Sequence, residues 1–188
     1  GLHAALLISV VGWIFYELVF TPKSELTKLS ALGFGLFGMV WAVWSVLHIT
    51  LIKGLPEGTP LLFYLLLVVS FSDIFAYFGG KRFGKTLLAP SISPKKTWEG
   101  SFFGVVGGGI VGAVFGELTM SMFWFYGLLL AMLLAVVGQL GDLVESKIKR
   151  LCDVKDSGTL LPGHGGILDR IDGHMLAAPV FYYLLQLG

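Results

Sequence analysis

The sequence predicts an all-α protein, a polytopic transmembrane helix bundle that crosses the bilayer about six times. Three observations predict it. Of 188 residues, 55% are hydrophobic and only 13% are charged, more apolar than a soluble domain of this length needs. The apolar residues fall into runs of about 20, enough for a helix to span a hydrocarbon core about 30 Å thick. The charges are concentrated in the connections, as expected where lipid can satisfy no backbone or side-chain polar group.

In chain order the runs are residues 2–20, 31–52, 60–78, 100–120 and 122–141, then a more polar one over about 171–187 that contains Pro179. The first lacks the basic leader and small-residue cleavage site of a signal peptide, so it is expected to span. The chain starts at Gly1 without Met, and the expectation is a protein truncated at its N-terminus. Residues 1–59 would supply N-terminal transmembrane helices and residues 60–188 a catalytic transmembrane region. No repeat of solenoid period is present.

Two longer polar connections, residues 81–99 and 142–172, hold 10 of the 13 Lys and Arg residues. A helical pair joined at residues 119–121 separates them, so both connections are expected on one side of the membrane. The positive-inside rule makes that side the cytoplasm and the host the cytoplasmic (inner) membrane. Lys23 and Lys28 fall on the same side, and Lys53 on the other. A net charge of +1 gives no field for nucleic acid, and the single Cys152 rules out an internal disulfide or a cysteine zinc cluster.

Five of the six Asp residues (Asp142, Asp153, Asp156, Asp169 and Asp172) lie in the second polar connection, and Asp73 lies near the inner end of the third run. An ionised Asp at membrane depth costs roughly 3 kcal/mol unless it meets a cation or a wet cavity. Asp142 and Glu145 are three residues apart, as are Asp169 and Asp172; on helices each pair projects to one face, where two carboxylates can share a hard cation. With no sulfur or clustered His, Mg²⁺ fits such oxygen donors better than zinc. Lys147, Lys149, Arg150, Lys155 and Arg170 are interleaved with the acids. Charge alone leaves two readings open, a site for a cation and a polyanion together, or a basic juxtamembrane loop with surface ion pairs.

The order of residues separates them. SKIKRLCDVKDSGTLLPGHGGILDRID, residues 146–172, resembles the signature of the phosphatidate cytidylyltransferase family at Ser146, Lys149, Arg150, Lys155, Asp156, Gly158, Pro162, His164, Gly165, Gly166, Asp169, Arg170 and Asp172. Residues 72–100, SDIFAYFGGKRFGKTLLAPSISPKKTWEG, resemble the same family's Asp-containing helix end and Ser-Pro-Lys-Lys-Thr loop. The resemblance implies Mg²⁺-dependent attack of a phosphatidate phosphate oxygen on the α-phosphorus of CTP, yielding CDP-diacylglycerol and pyrophosphate. It implies that Asp142, Asp169 and Asp172 hold one or two divalent ions, with Asp73 as a nearby carboxylate. Lys95, Lys96, Lys149, Arg150, Lys155 and Arg170 would bind phosphates, Lys85 would either touch phosphate or serve as a cytoplasmic anchor, Ser93 and Thr97 would donate hydroxyl hydrogen bonds, and His164 in the PGHGG turn would orient a phosphate or the base. A phosphate monoester is already ionised, so no strong general base is needed.

Other patterns carry less. Residues 79–86 satisfy GxxxxGK[ST], but they follow a membrane helix rather than a strand, which excludes a P-loop fold. Gly33, Gly35 and Gly38 spell GxGxxG inside a spanning run and are noise. Gly100, Gly104, Gly108, Gly112 and Gly116 recur every fourth residue and form a smooth helix face, for packing within the chain or, as the sharper reading, for a homodimer. Trp13, Trp41, Trp44, Trp98 and Trp124 read as interfacial anchors, Trp98 with some claim to the site. His3, His48 and His174 read as packing residues. Two rival functions are a CTP-dependent lipid kinase, separated by its products, and a membrane transporter, whose charges would line a midplane path.

Overall fold

The computed structural model describes Trp41, residues 43–154, Ser157, Gly166 and residues 168–187. The expected span over residues 2–20, most of that over 31–52, and the site candidates Lys155 and His164 lie outside the described residues. Element order is α1 (Val43–Lys53), α2 (Gly58–Phe83), β1 (Leu87–Ala89), β2 (Ser93–Thr97), α3 (Trp98–Met120), α4 (Trp124–Leu151) and α5 (Leu168–Leu185). Among the described residues, α2, α3 and α4 are long and apolar enough to cross a membrane.

The helices are longer than the apolar runs, and this places the site. Helix α2 continues through Phe83 and ends with Lys81 and Arg82 in its last turn. Helix α4 continues ten residues past Gly141 to Leu151, with Lys149 and Arg150 in its last turn. Cations at these C-termini complement the helix dipole. Helix α5 begins at Leu168 and carries Asp169 in its first turn, the complementary sign at an N-terminus. Hydropathy marks where a helix leaves the hydrocarbon, not where its hydrogen bonding stops, so part of each predicted polar connection is helix.

The expectation of a purely helical chain is corrected by a two-stranded antiparallel hairpin within residues 81–99, pairing Leu87 with Thr97 and Ala89 with Ser93. Its base is closed by a side chain. Glu99 accepts hydrogen bonds from the backbone N-H groups of Lys85 (3.1 Å) and Thr86 (3.2 Å), and Thr97 Oγ1 caps α3 by accepting from Gly100 N at 3.1 Å. The N-H groups of Lys85 and Thr86 are therefore occupied, consistent with a P-loop being absent here.

The bundle interior is assembled on glycine. A β-carbon on Gly104 would lie 2.8 Å from Ser72 O, one on Gly108 3.0 Å from Val68 O, and one on Gly112 2.3 Å from Ala131 Cβ and 2.9 Å from Val68 Cγ2. The four-residue stripe is thus spent inside the chain, against α2 and α4, and the close backbone approach replaces the hydrophobic drive that lipid removes. Tyr64, Leu65, Val68, Leu134 and Phe181 form the fully buried centre, and Tyr64 donates to Gly127 O at 2.6 Å. Helices α3 and α4 turn about on Ser121–Phe123, with Ser121 at φ 48° and its N-H bonded to Gly116 O.

Pro179 sits inside α5 and leaves the carbonyl of Met175 without its usual donor. Ser45 of α1 takes that place, its hydroxyl 2.5 Å from Met175 O. Trp41 is 6% exposed and packs with Met175 and Leu176, so it belongs to the core rather than to an interfacial belt. Trp98 and Trp124 do sit exposed at helix ends.

Candidate functional site

Consecutive helices run antiparallel, and the end of α2, the hairpin, the start of α3, the end of α4 and the start of α5 all gather at one end of the bundle. Gly141 and Asp172 show how closely: a β-carbon on Gly141 would lie 2.9 Å from Asp172 O. The two polar connections are joined directly, since Arg150 Nε donates to Ile92 O in the hairpin turn at 3.4 Å and Lys96 is ion-paired with Asp142. Carboxylates from three helices converge here. Asp172 is within electrostatic range of Asp142, Glu145 and Asp73, and Asp73 within range of Asp142 and Lys96.

Each lysine of the centre is held by an acid. Lys96 of β2 reaches Asp142 Oδ2, while Ser146 donates to Asp142 Oδ1 at 3.2 Å. Lys149 lies between two helices, 2.5 Å from Glu145 Oε2 and 2.7 Å from Asp169 Oδ1. Glu145 is 7% exposed, and the Lys149 ammonium is its ion-pair partner. A buried carboxylate so placed depends on a cation beside it.

Asp169 is more completely satisfied. It accepts from Ser157 N (2.9 Å), Ser157 Oγ (2.9 Å) and Gly166 N (2.7 Å) as well as from Lys149. Burial opposes its ionisation, but these bonds outweigh it and hold the carboxyl well below the usual carboxylate range. Among the described residues, Asp172 Oδ1 accepts from its neighbour Gly173 N, at 2.7 Å.

Within the i,i+3 pairs, Asp142 is paired with Lys96 and Glu145 with Lys149, while Asp169 accepts from Ser157 and Gly166 and Asp172 feels the charges of Asp142 and Asp73. Among the described residues no group of three or more His, Cys, Asp or Glu stands close enough together to hold a metal ion. The donor chemistry nonetheless fits a hard divalent cation: the donors are oxygen, and the carboxylates Asp73, Asp142, Glu145, Asp169 and Asp172 outnumber the ammonium groups of Lys96 and Lys149.

The other candidates are distributed around this centre. Ser93, Lys95 and Lys96 lie on β2 and Lys85 on the preceding loop, with Lys85 and Lys95 exposed. Arg170 is exposed in the first turn of α5. Thr97 is committed through its oxygen to capping α3. Sequence reasoning paired Glu145 with Asp142 as carboxylates able to share a cation and placed Ser146 in the family signature, but did not count either among the site residues; both lie on the Asp142 face of α4. It also passed over Gln139, Ser72 and Ser101, single polar residues in apolar surroundings.

Comparison with known proteins agrees with this picture. The profile described as "Cytidylyltransferase family" matches residues 1–188. A phosphatidate cytidylyltransferase of Brucella abortus is 42% identical over 154 residues, covering 81% of this chain and 57% of the relative. That of Bacillus subtilis is 47% identical over 138 residues, 72% of this chain and 51% of the relative. An Escherichia coli protein, "Uncharacterized protein YnbB", is 39% identical over 187 residues, 97% of this chain and 61% of the relative. The chain thus spans about half the length of the curated relatives it matches.

Proposed function

The chain belongs to the cytidylyltransferase family, and on that premise we propose that it is the membrane-embedded catalytic part of a phosphatidate cytidylyltransferase, making CDP-diacylglycerol and pyrophosphate from CTP and phosphatidate. The observation that carries this reading is the meeting of Lys96 and Lys149 with Asp142, Asp169 and Asp172 at one end of an apolar bundle. A transporter would instead need its charges along a midplane path.

In the proposed reaction a phosphatidate phosphate oxygen forms a bond to the α-phosphorus of CTP as the α–β phosphoanhydride bond breaks, and the electron pair leaves with pyrophosphate. A bound Mg²⁺, alone or with a second cation, would supply the electrostatic stabilisation that transfer to a pyrophosphate leaving group needs. Asp142, Asp172 and Asp169 would hold the ion, Asp73 and Glu145 adding negative potential. Lys96 and Lys149, paired here with Asp142 and with Glu145 and Asp169, would be the cations placed to bind phosphate oxygens of CTP and phosphatidate. Arg150, Arg170, Lys85, Lys95 and Lys155 would add positive charge along the polyphosphate, with Ser93, Thr97 and His164 as hydrogen-bonding groups.

On this reading membrane lipid would supply one substrate, and the active end would face the cytoplasm at the inner membrane, where CTP is available. The test is product identity. Purified protein with CTP, phosphatidate and Mg²⁺ is expected to release pyrophosphate and CDP-lipid in equal amounts; CDP with a newly phosphorylated lipid would mean a kinase, and no turnover would remove the reading.

A further inference from the structure

One turn deeper in the bundle than Asp142, a single amide joins three helices. Gln139 Nε2 on α4 lies 3.2 Å from Ser72 Oγ on α2 and 3.2 Å from Ser101 O on α3. Ser101 Oγ donates in return to Gln139 Oε1. Both amide protons and one oxygen lone pair are thereby used. Ser72 is 1% exposed, and where no water can substitute, such a network holds one arrangement in preference to slipped ones. The backbone makes room for it at Gly104, where a β-carbon would lie 2.7 Å from Gln139 Nε2.

Each anchor adjoins a part of the site. Ser72 precedes Asp73. Gln139 lies three residues, about one helical turn, before Asp142. Ser101 stands in the first turn of α3, directly after the strand that carries Lys96.

We propose that Gln139 is a positioning residue for the active end: its amide sets the depth and rotation of α2, α3 and α4 so that Asp73, Asp142 and Lys96 meet. It acts through those residues, because its own donors are committed to Ser72 and Ser101. The inference rests on the cytidylyltransferase reading for what the site does, but the positioning itself can be measured without turnover.

The test compares Gln139→Leu, which keeps bulk and removes the bonds, with Ser72→Ala, which removes one anchor and keeps the fold should the first variant not assemble. In detergent micelles, amide hydrogen exchange over residues 93–101 and 139–150 is expected to quicken about 10-fold in Gln139→Leu, and less in Ser72→Ala, with the rest of α2–α5 unchanged. The kcat for CDP-lipid formation is expected to fall about 10- to 100-fold while KM for CTP stays within about two-fold. Unchanged exchange over the two segments overturns the proposal. So does loosening spread evenly over all four helices with a matching fall in melting temperature, the signature of a merely structural bond. Should the wild-type protein make no CDP-lipid, the functional reading fails, and the exchange pattern still decides the positioning role.

Discussion

The two ends of α4 are built on opposite principles. Its apolar part, residues 124–141, is held by contact: Ala131 and Leu134 are fully buried, and Gly112 of α3 meets α4 with no space for a methyl group. Its polar extension, residues 142–151, is held by charge: Asp142, Glu145, Lys149 and Arg150 each bind across to another element or along their own helix. Packing of the first kind has one solution and stores no alternative partners. Ion pairs of the second kind can be traded for others of similar strength, which would suit the proposed binding of a cation and a polyanion. One helix thus serves as frame over most of its length and as working surface over its last turns.

The sharpest way to break that comparison is at the acids. Asp172→Asn or Asp142→Asn is expected to lower Mg²⁺-dependent turnover by about 10²-fold or more, with helical circular dichroism and melting temperature kept; near-normal activity would take those residues out of the metal shell. Lys149→Ala comes next. It is expected to raise KM for CTP about 10-fold, and because it leaves the buried Glu145 without its cation it should also destabilise the protein by about 3 kcal/mol. Steady-state kinetics and thermal melting in the same detergent measure both; unchanged KM would reassign Lys149 to structure.

The frame should respond differently. Gly112→Ala adds a methyl against Ala131 and is expected to cost about 2 kcal/mol of stability, read as a lower melting temperature, while KM for CTP and oligomeric state stay as they are. A change in oligomeric state would restore the glycine face as a contact between copies. The smallest effect is expected from Ser45→Ala, which removes the donor to Met175 O opposite Pro179; about 1 kcal/mol should be lost, with activity retained.

Hydropathy and charge order settled much in advance: the helical class, the runs that became α2, α3 and α4, the placement of both basic connections at one end, and the family to which Ser146 through Asp172 points. These are properties of local composition, because a lipid-facing helix must be apolar along its whole length and a charged connection cannot lie in hydrocarbon. The hairpin at Leu87–Thr97 was not legible, since its pairing depends on Glu99 reaching back to Lys85 and Thr86. Nor was the use of the glycine stripe, as a smooth face carries no mark of its partner until α2 is seen against it.

The sequence by itself therefore determined which residues are charged, which helices can span, and what chemistry the site could support. Only the tertiary structure decided the pairing: that Lys96 meets Asp142, that Lys149 bridges Glu145 and Asp169, and that Gln139 ties three helices beneath them. The reason is physical. Spacing along a chain fixes which side chains share a face of one helix, but which face turns to which neighbour depends on how all the helices pack at once.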